Sequence, residues 1–204
     1  MTRLLIATQN AHKTREIREM LGAEFDVSDL SVHPEIRAAE ETGVTFEENA
    51  VLKANEASHG FDGLVLADDS GLEVDALSGA PGVRSARYAS ENTKANSSDE
   101  ANRRRLLAEL ERVGARGKDR RARFCCAMAL ARDGKLIATF DGAVEGVVIN
   151  QEKGGGGFGY DSLFVPEGHC ETFAQLSAAV KNKLSHRGRT LTKVRAFLQS
   201  EAQA

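Results

Sequence analysis

Two neighbouring carboxylates, Asp68 and Asp69, close the apolar run Leu64-Val-Leu-Ala67 and are followed by Ser70 and Gly71. Side chains alternate from face to face along a strand, so only one of the pair can serve a given site directly. The other holds a supporting group or reaches a cation from the side. Hard, oxygen-rich ligation of this kind suits Mg²⁺, which takes one or two carboxylates and completes its shell with water and substrate phosphates. The pair Glu40 and Glu41 offers further oxygens. Taken alone, Asp-Asp-Ser-Gly also reads as a plain turn.

A second constellation is cationic. Asn10-Ala-His-Lys13 lies between an apolar strand, Leu4 to Thr8, and a helix from about Lys13 to Leu21. Backbone amides and the positive end of the helix dipole attract phosphate at such a place, and Lys13 adds a full charge. Lys53 lies in a second helix. Lys181 and Ser185 share a face of a final helix at i, i+4 spacing, and Ser185-His-Arg187 sets a hydroxyl, an imidazole and a guanidinium in consecutive positions. Gly154-Gly-Gly-Gly-Phe-Gly159 matches G-x-G-x-x-G, but a strand follows it where a dinucleotide site needs a helix. Its successive glycines either let backbone amides approach a ligand closely or merely make a mobile loop. No G-x-x-x-x-G-K-[ST] run is present.

The elements that position these residues alternate between strand and helix, which makes the chain α/β. Phe25 to Leu30 is a second strand, and Thr45-Phe-Glu-Glu48 is a capping box that opens a helix reaching about Ser58. Leu64 to Asp68 is a buried strand ending at the acidic pair, with Leu72 to Leu77 extended beyond it. Ser97-Ser-Asp-Glu100 is a second capping box, leading a helix striped by Leu106, Leu107, Leu110 and Val113. Phe124 to Ala131 and Leu136 to Phe140 form a hairpin around Arg132-Asp-Gly-Lys135. Val144 to Ile149 and Tyr160 to Val165 are further strands. From Thr172 the pattern turns helical, with Leu184, Leu191, Val194 and Leu198 on one face.

At 204 residues the chain suits one domain, and a chain of this size buries roughly 70% of its unfolded surface. It has 41% hydrophobic and 28% charged residues, outside the disordered range. Net charge is −3, so no global field draws in nucleic acid, and the clusters Arg103 to Arg105 and Arg120 to Arg123 read as solvated faces. The cysteines Cys125, Cys126 and Cys170 are odd in number, which points to a reducing cytosol rather than a disulfide framework, and Cys125 and Cys126, in an apolar run, read as buried structural thiols. No window approaches the ~18 apolar residues of a membrane span.

In order along nearly the whole chain, Thr8-Gln-Asn-Ala-His-Lys13, Glu40-Glu-Thr-Gly-Val-Thr-Phe-Glu-Glu-Asn-Ala50, Ala67-Asp-Asp-Ser-Gly-Leu72, Gly79-Ala-Pro-Gly-Val-Arg-Ser-Ala-Arg-Tyr88, Gly157-Phe-Gly-Tyr-Asp161 and Ser185-His-Arg187 closely resemble the inosine/xanthosine triphosphate pyrophosphatase, or Ham1-like, family. The resemblance implies an elongated ITPase-like α/β fold over residues 1–204, with a long mixed sheet, two lobes without a separable linker, and a nucleotide cleft between them. It also implies a homodimer and a Mg²⁺-dependent hydrolysis of ITP, dITP or XTP to the monophosphate and pyrophosphate. By position, it makes Asp69 the general base or a metal-positioned activator of water, and a metal ligand with Glu40, and gives Asp68 and Glu41 supporting roles. Thr8, Gln9, Asn10, Ala11, His12, Lys13, Lys53 and Ser70 would hold the triphosphate. Phe158 would stack on the purine, beside Gly159, Tyr160, Asp161 and Lys181. His186 and Arg187 would donate to the 6-oxo group.

Gln9, His12, Ser162 and Val180 depart from the usual pattern of that family. Two rival readings use the same residues: a nucleotide sensor without chemistry, and a serine hydrolase built on Ser70 and His186. The second lacks a G-x-S-x-G elbow.

Overall fold

The computed structural model describes residues 2–90 and 95–201. Within them lie the strands β1 (Thr2–Ile6), β2 (Phe25–Asp29), β3 (Leu64–Val74), β4 (Arg121–Arg132), β5 (Lys135–Val148) and β6 (Phe164–Pro166). The α-helices are α1 (Ala11–Leu21), α2 (Phe46–Ser58), α3 (Asp99–Arg112), α4 (Ala178–Leu184) and α5 (His186–Glu201). The strands form one sheet in the order β2-β1-β3-β4-β5-β6. It is mixed: β1 runs parallel to β2 and β3, whereas β5 and β6 are antiparallel. The α/β class with a mixed sheet is therefore as expected.

The chain divides into two compact units. The first comprises Met1–Asp69, Cys126–Gly142 and His186–Ala204, the second Ser70–Cys125 and Ala143–Ser185. In the first, parallel pairing of β1 with β2 requires a crossover, which α1 supplies. Leu4, Ile6, Leu64 and Leu66 occupy alternate strand positions and pack with Met128 and Leu130 against Ile17 and Leu21 of α1 and Leu191 and Val194 of α5. Each of these helix side chains is almost wholly buried, which stabilises the unit by about 1.5–3 kcal/mol apiece. Leu5, Val65 and Ala67, on the opposite face, are fully buried too. Burial on both faces is what produces the continuous apolar runs of β1 and β3.

The second unit has its own core. In a chain without Trp, Phe124, Phe164 and Phe173 meet with ring centroids 4.8, 5.2 and 5.9 Å apart, backed by Leu72, Val74, Leu106, Leu110 and Leu163.

Several expectations need correction. β3 does not end at the acidic pair but continues unbroken to Val74. Gly71 permits this: the Ser85 hydroxyl occupies the space a Cβ would fill and accepts from the Leu72 amide at 2.9 Å. The α2 capping box is present as expected. That of α3 is not, because Ser98 rather than Ser97 is its N-cap, accepting from Ala101. The hairpin turns on Asp133 and Gly134, both with positive φ, and its second arm absorbs Val144 to Val148 into β5. The strand at Tyr160 to Val165 shrinks to Phe164–Pro166. The C-terminal helix is two helices: Ser185 adopts extended backbone (φ −65, ψ 156) between α4 and α5, so it does not continue a helical face from Lys181. Arg120 is buried rather than solvated, donating to Ala115, Val148 and Asn150.

Candidate active site

Continuity of β3 decides the fate of the two aspartates. Asp68 shares the face of Leu64 and Leu66, looking toward α1 and α5, whereas Asp69 looks toward α2. Asp68 is 1% exposed. Its carboxylate receives Lys13 Nζ at 2.5 Å, Arg187 Nε at 3.0 Å and Nη2 at 3.3 Å, and the Cys126 thiol at 3.2 Å. Burial opposes its charge, but Arg187 and Lys13 overcome that cost and hold the carboxyl well below the usual range. Arg187 is itself 1% exposed and pairs through Nη1 with Glu16 at 2.6 Å.

Asp69 is 7% exposed. One oxygen accepts from Lys53 Nζ at 2.8 Å and the other from Asn49 Nδ2 at 3.2 Å. Asn49 and Lys53 lie four residues apart in α2, on one face. Burial pushes the Asp69 carboxyl above its ordinary value; Lys53 and Lys13 pull it down and Glu41 pushes it up. The Lys53 ammonium also holds Glu41 at 3.0 Å. Burial works against that ammonium, but Asp69 and Glu41 outweigh it and lift its pKa. Lys53 Nζ lies 2.9 Å and Lys13 Nζ 3.5 Å from the same Asp68 carbonyl oxygen. The two ammonium groups thus converge at the strand that bears Asp69, an arrangement suited to a polyanion.

The turn before α1 is fixed from within. Thr8 Oγ1 accepts from the Asn10 amide at 3.1 Å, and Asn10 Oδ1 accepts from the amides of His12 and Lys13 at 3.0 and 3.3 Å. Asn10 is therefore the N-cap of α1, and two first-turn amides are already engaged. Gln9, Ala11 and His12 are exposed, and His12 Nδ1 lies 3.4 Å from Arg15. Glu40 is exposed and Glu41 half-buried. His186 is buried at the start of α5, its carbonyl accepting from Thr190.

The first unit thus gathers Thr8, Asn10, Lys13, Glu41, Lys53, Asp68, Asp69 and Arg187. Phe158, Gly159, Tyr160, Asp161 and Lys181 belong to the second. There Asp161, 4% exposed, accepts from the Phe158 amide at 2.9 Å and from Lys181 Nζ at 2.7 Å. Lys181 Nζ lies 5.0 Å from the Phe158 ring centroid. This contact with Asp161 fixes Lys181 even though Val180 before it is exposed. The Tyr160 hydroxyl donates to Ser85 O at 2.9 Å. Ser70, half-buried in β3, opens the same unit.

The glycine-rich loop is not a loose one. Gly156 donates to Ala174 O at 3.0 Å, and the Asp161 carboxylate stands where a Cβ on Gly157 would be. Sequence reasoning missed Asn49, Glu16 and Cys126. The first two were within reach, since helical spacing from Lys53 and Lys13 points to them. Cys126 was not, because only the register of β4 beside β3 brings its thiol to Asp68.

Two of the three cysteines are chemically quiet. Burial pushes the Cys125 thiol up to about 12 and the Cys126 thiol well above its usual value, whereas Cys170 is exposed. A thiol-reactive reagent at pH 8 is therefore expected to label Cys170 in the folded protein and the others only after denaturation, as read by peptide mass spectrometry. Rapid labelling of native Cys126 would contradict its place beside Asp68.

Among the described residues, no group of three or more His, Cys, Asp and Glu side chains is assembled as a metal cluster. The donors at hand are the carboxylates of Asp69 and Glu41, joined through Lys53. Glu41 raises the Asp69 pKa, a like-charge repulsion that a divalent cation would relieve. One or two carboxylates are what Mg²⁺ takes from a protein when phosphates and water supply the rest, so the residues fit such an ion.

A mixed α/β sheet that brings two ammonium groups to the strand of a buried carboxylate is an arrangement suited to handling polyphosphates. More specifically, residues 4–197 match the model of the Ham1 family, and the chain belongs to that family. It is 49% identical over 193 residues to a dITP/XTP pyrophosphatase of Geobacter sulfurreducens, covering 94% of each chain. It is 46% identical over 202 residues to the enzyme of the same name from Bacillus licheniformis, covering 97% of this chain and 98% of that one. Among solved structures, a HAM1 protein from Coxiella burnetii superposes with a TM-score of 0.85 at 36% identity, over 98% of this chain and 100% of the other.

Proposed function

We propose that this chain is a nucleoside-triphosphate pyrophosphatase that hydrolyses non-standard purine nucleotides, dITP, ITP and XTP, to the monophosphate and pyrophosphate, with Mg²⁺ as cofactor. The observation that carries the reading is the buried Asp69 carboxylate, raised in pKa, beside two ammonium groups that converge on Asp68 O. Relatives named dITP/XTP pyrophosphatase at 46% and 49% identity support it.

In this reading Asp69 is the general base that takes a proton from the attacking water, and burial makes it a better base than an exposed aspartate. Lys13 and Lys53 offset the charge that builds on the phosphates. Asp68 does no chemistry; clamped by Arg187, it holds Lys13. Bound Mg²⁺, held by Asp69 with Glu40 or Glu41, would supply charge neutralisation on the phosphate oxygens. Phe158 offers a stacking face and Lys181 a donor for the purine. His186 and Arg187 are the donors for the 6-oxo group. Hypoxanthine and xanthine present an acceptor at that position where adenine presents a donor, and a site of fixed donors can reject the mismatch by ~10⁴. Such an enzyme belongs in a reducing cytosol and works as a homodimer. No helix among the described residues is long and apolar enough to cross a membrane.

Pyrophosphate release from ITP, XTP, GTP and ATP, with Mg²⁺ and after chelation, tests this directly. ITP and XTP should be turned over at least ~10²-fold faster than ATP, and chelation should stop the reaction. Equal rates across the panel would remove the assignment to non-standard purines, and no release from any nucleotide would remove the activity itself.

A further inference from the structure

Phe158 and Gly159 sit at the end of the glycine-rich loop, and their position is set from outside the loop. Asp99 and Arg103 are four residues apart in α3 and so share one face of it. Asp99 Oδ2 accepts from the Gly159 amide at 2.6 Å, and Arg103 Nη1 donates to the Gly159 carbonyl at 2.9 Å. One peptide-bearing residue, with φ of +61, is thus gripped at both its donor and its acceptor by two opposite charges. Arg103 Nε is paired with Glu152 at 2.8 Å, and Glu152 accepts from Ser162 at 2.9 Å, so the grip spans both arms of the loop. The same helix fixes a second segment: Asn102 accepts from the Ala89 amide at 2.8 Å and donates to Ala86 O at 3.1 Å.

Such a grip makes little sense for a loop that only connects. A short glycine-rich connection costs conformational entropy when ordered, because glycine has the most freedom to lose, and charge-assisted bonds to its backbone are stronger than neutral ones. We propose that Asp99 and Arg103 are positioning residues for purine recognition: they hold Gly159 so that the Phe158 ring stands ready for the base, without touching the nucleotide themselves. This rests on the reading of Phe158 as the stacking residue. Without the grip, each binding event must first order the loop, so affinity for the base falls while the machinery at Asp69, Lys13 and Lys53 is untouched.

The test compares wild type with Arg103→Met, which keeps the stem and removes the donors, with Asp99→Asn, which keeps the shape and removes the charge, and with Arg103→Lys as the conservative variant. Inosine monophosphate and inorganic tripolyphosphate are titrated calorimetrically, and ITP turnover is measured alongside. Arg103→Met should bind inosine monophosphate about tenfold more weakly, the equivalent of one charge-assisted bond. It should raise KM for ITP by a similar factor, with kcat within about twofold and tripolyphosphate affinity unchanged. Asp99→Asn should move in the same direction by less, and Arg103→Lys should recover part of the loss. Unchanged affinity for inosine monophosphate in both Arg103→Met and Asp99→Asn overturns the proposal, as does an equal loss toward tripolyphosphate. If Arg103→Met does not fold, Asp99→Asn decides by the same readings. Wild-type protein that binds inosine monophosphate through this grip yet releases no pyrophosphate would leave the grip standing and remove the activity, so the two failures are distinguishable.

Discussion

Replacing Asp69 by Asn is expected to lower kcat for pyrophosphate release by about 10²- to 10⁴-fold, the range over which a positioned general base contributes. The substitution keeps the shape of the side chain and its contact with Asn49, and it removes a carboxylate whose charge burial already opposes. Lys53 keeps Glu41 as a partner. The folded protein should therefore survive, with a melting temperature within a few degrees of wild type and nucleotide binding still measurable by calorimetry. Turnover close to wild type would dismiss Asp69 as the base. The same substitution at Asp68 acts by another route, since that carboxylate meets Lys13 and Arg187 rather than water.

Arg187→Met should be the most damaging single change to the fold. It takes the guanidinium away from the wholly buried Asp68 carboxylate, which keeps its contact with Lys13, and it removes the 2.6 Å ion pair of Glu16. Removing one partner of a buried charge pair costs about 3–5 kcal/mol. For a domain of this size that amounts to a fall of roughly 6–20 °C in melting temperature. Calorimetric melting of Arg187→Met, alone and combined with Asp68→Asn, measures it. The double variant should regain part of the loss, because the wholly buried position 68 then carries no charge. A melting temperature unchanged in Arg187→Met would mean that the guanidinium serves substrate alone, the role the family resemblance gives it.

Much of the first unit was legible in the sequence because its signals are local. The apolar runs of β1 and β3, the Thr45 capping box and the lysine before α1 all declare themselves within a few residues. Alternation along a strand already forced Asp68 and Asp69 apart. What escaped depends on contacts distant in sequence. That β3 continues through Asp-Asp-Ser-Gly depends on Ser85, whose hydroxyl fills the space beside Gly71. The break at Ser185 lies in a stretch with helical periodicity on both sides and neither Gly nor Pro at that position. The burial of Arg120 and Arg187 is invisible from composition, since a guanidinium enters a core only where carbonyls or carboxylates from elsewhere in the chain await it. The glycine run suggested looseness, and only the partners of Gly156 and Gly159 show that it is held.

The two-residue period of β3 has a genetic consequence. Side chains on a strand change faces with every residue, so deleting or inserting one residue between Leu64 and Asp68 would exchange the surroundings of the two aspartates rather than merely displace them. The carboxylate meant for water would be sealed against Arg187, and the one meant for Arg187 would face Lys53. Substitutions along this stretch can be graded in their effects, but a change of length by one codon has no mild form.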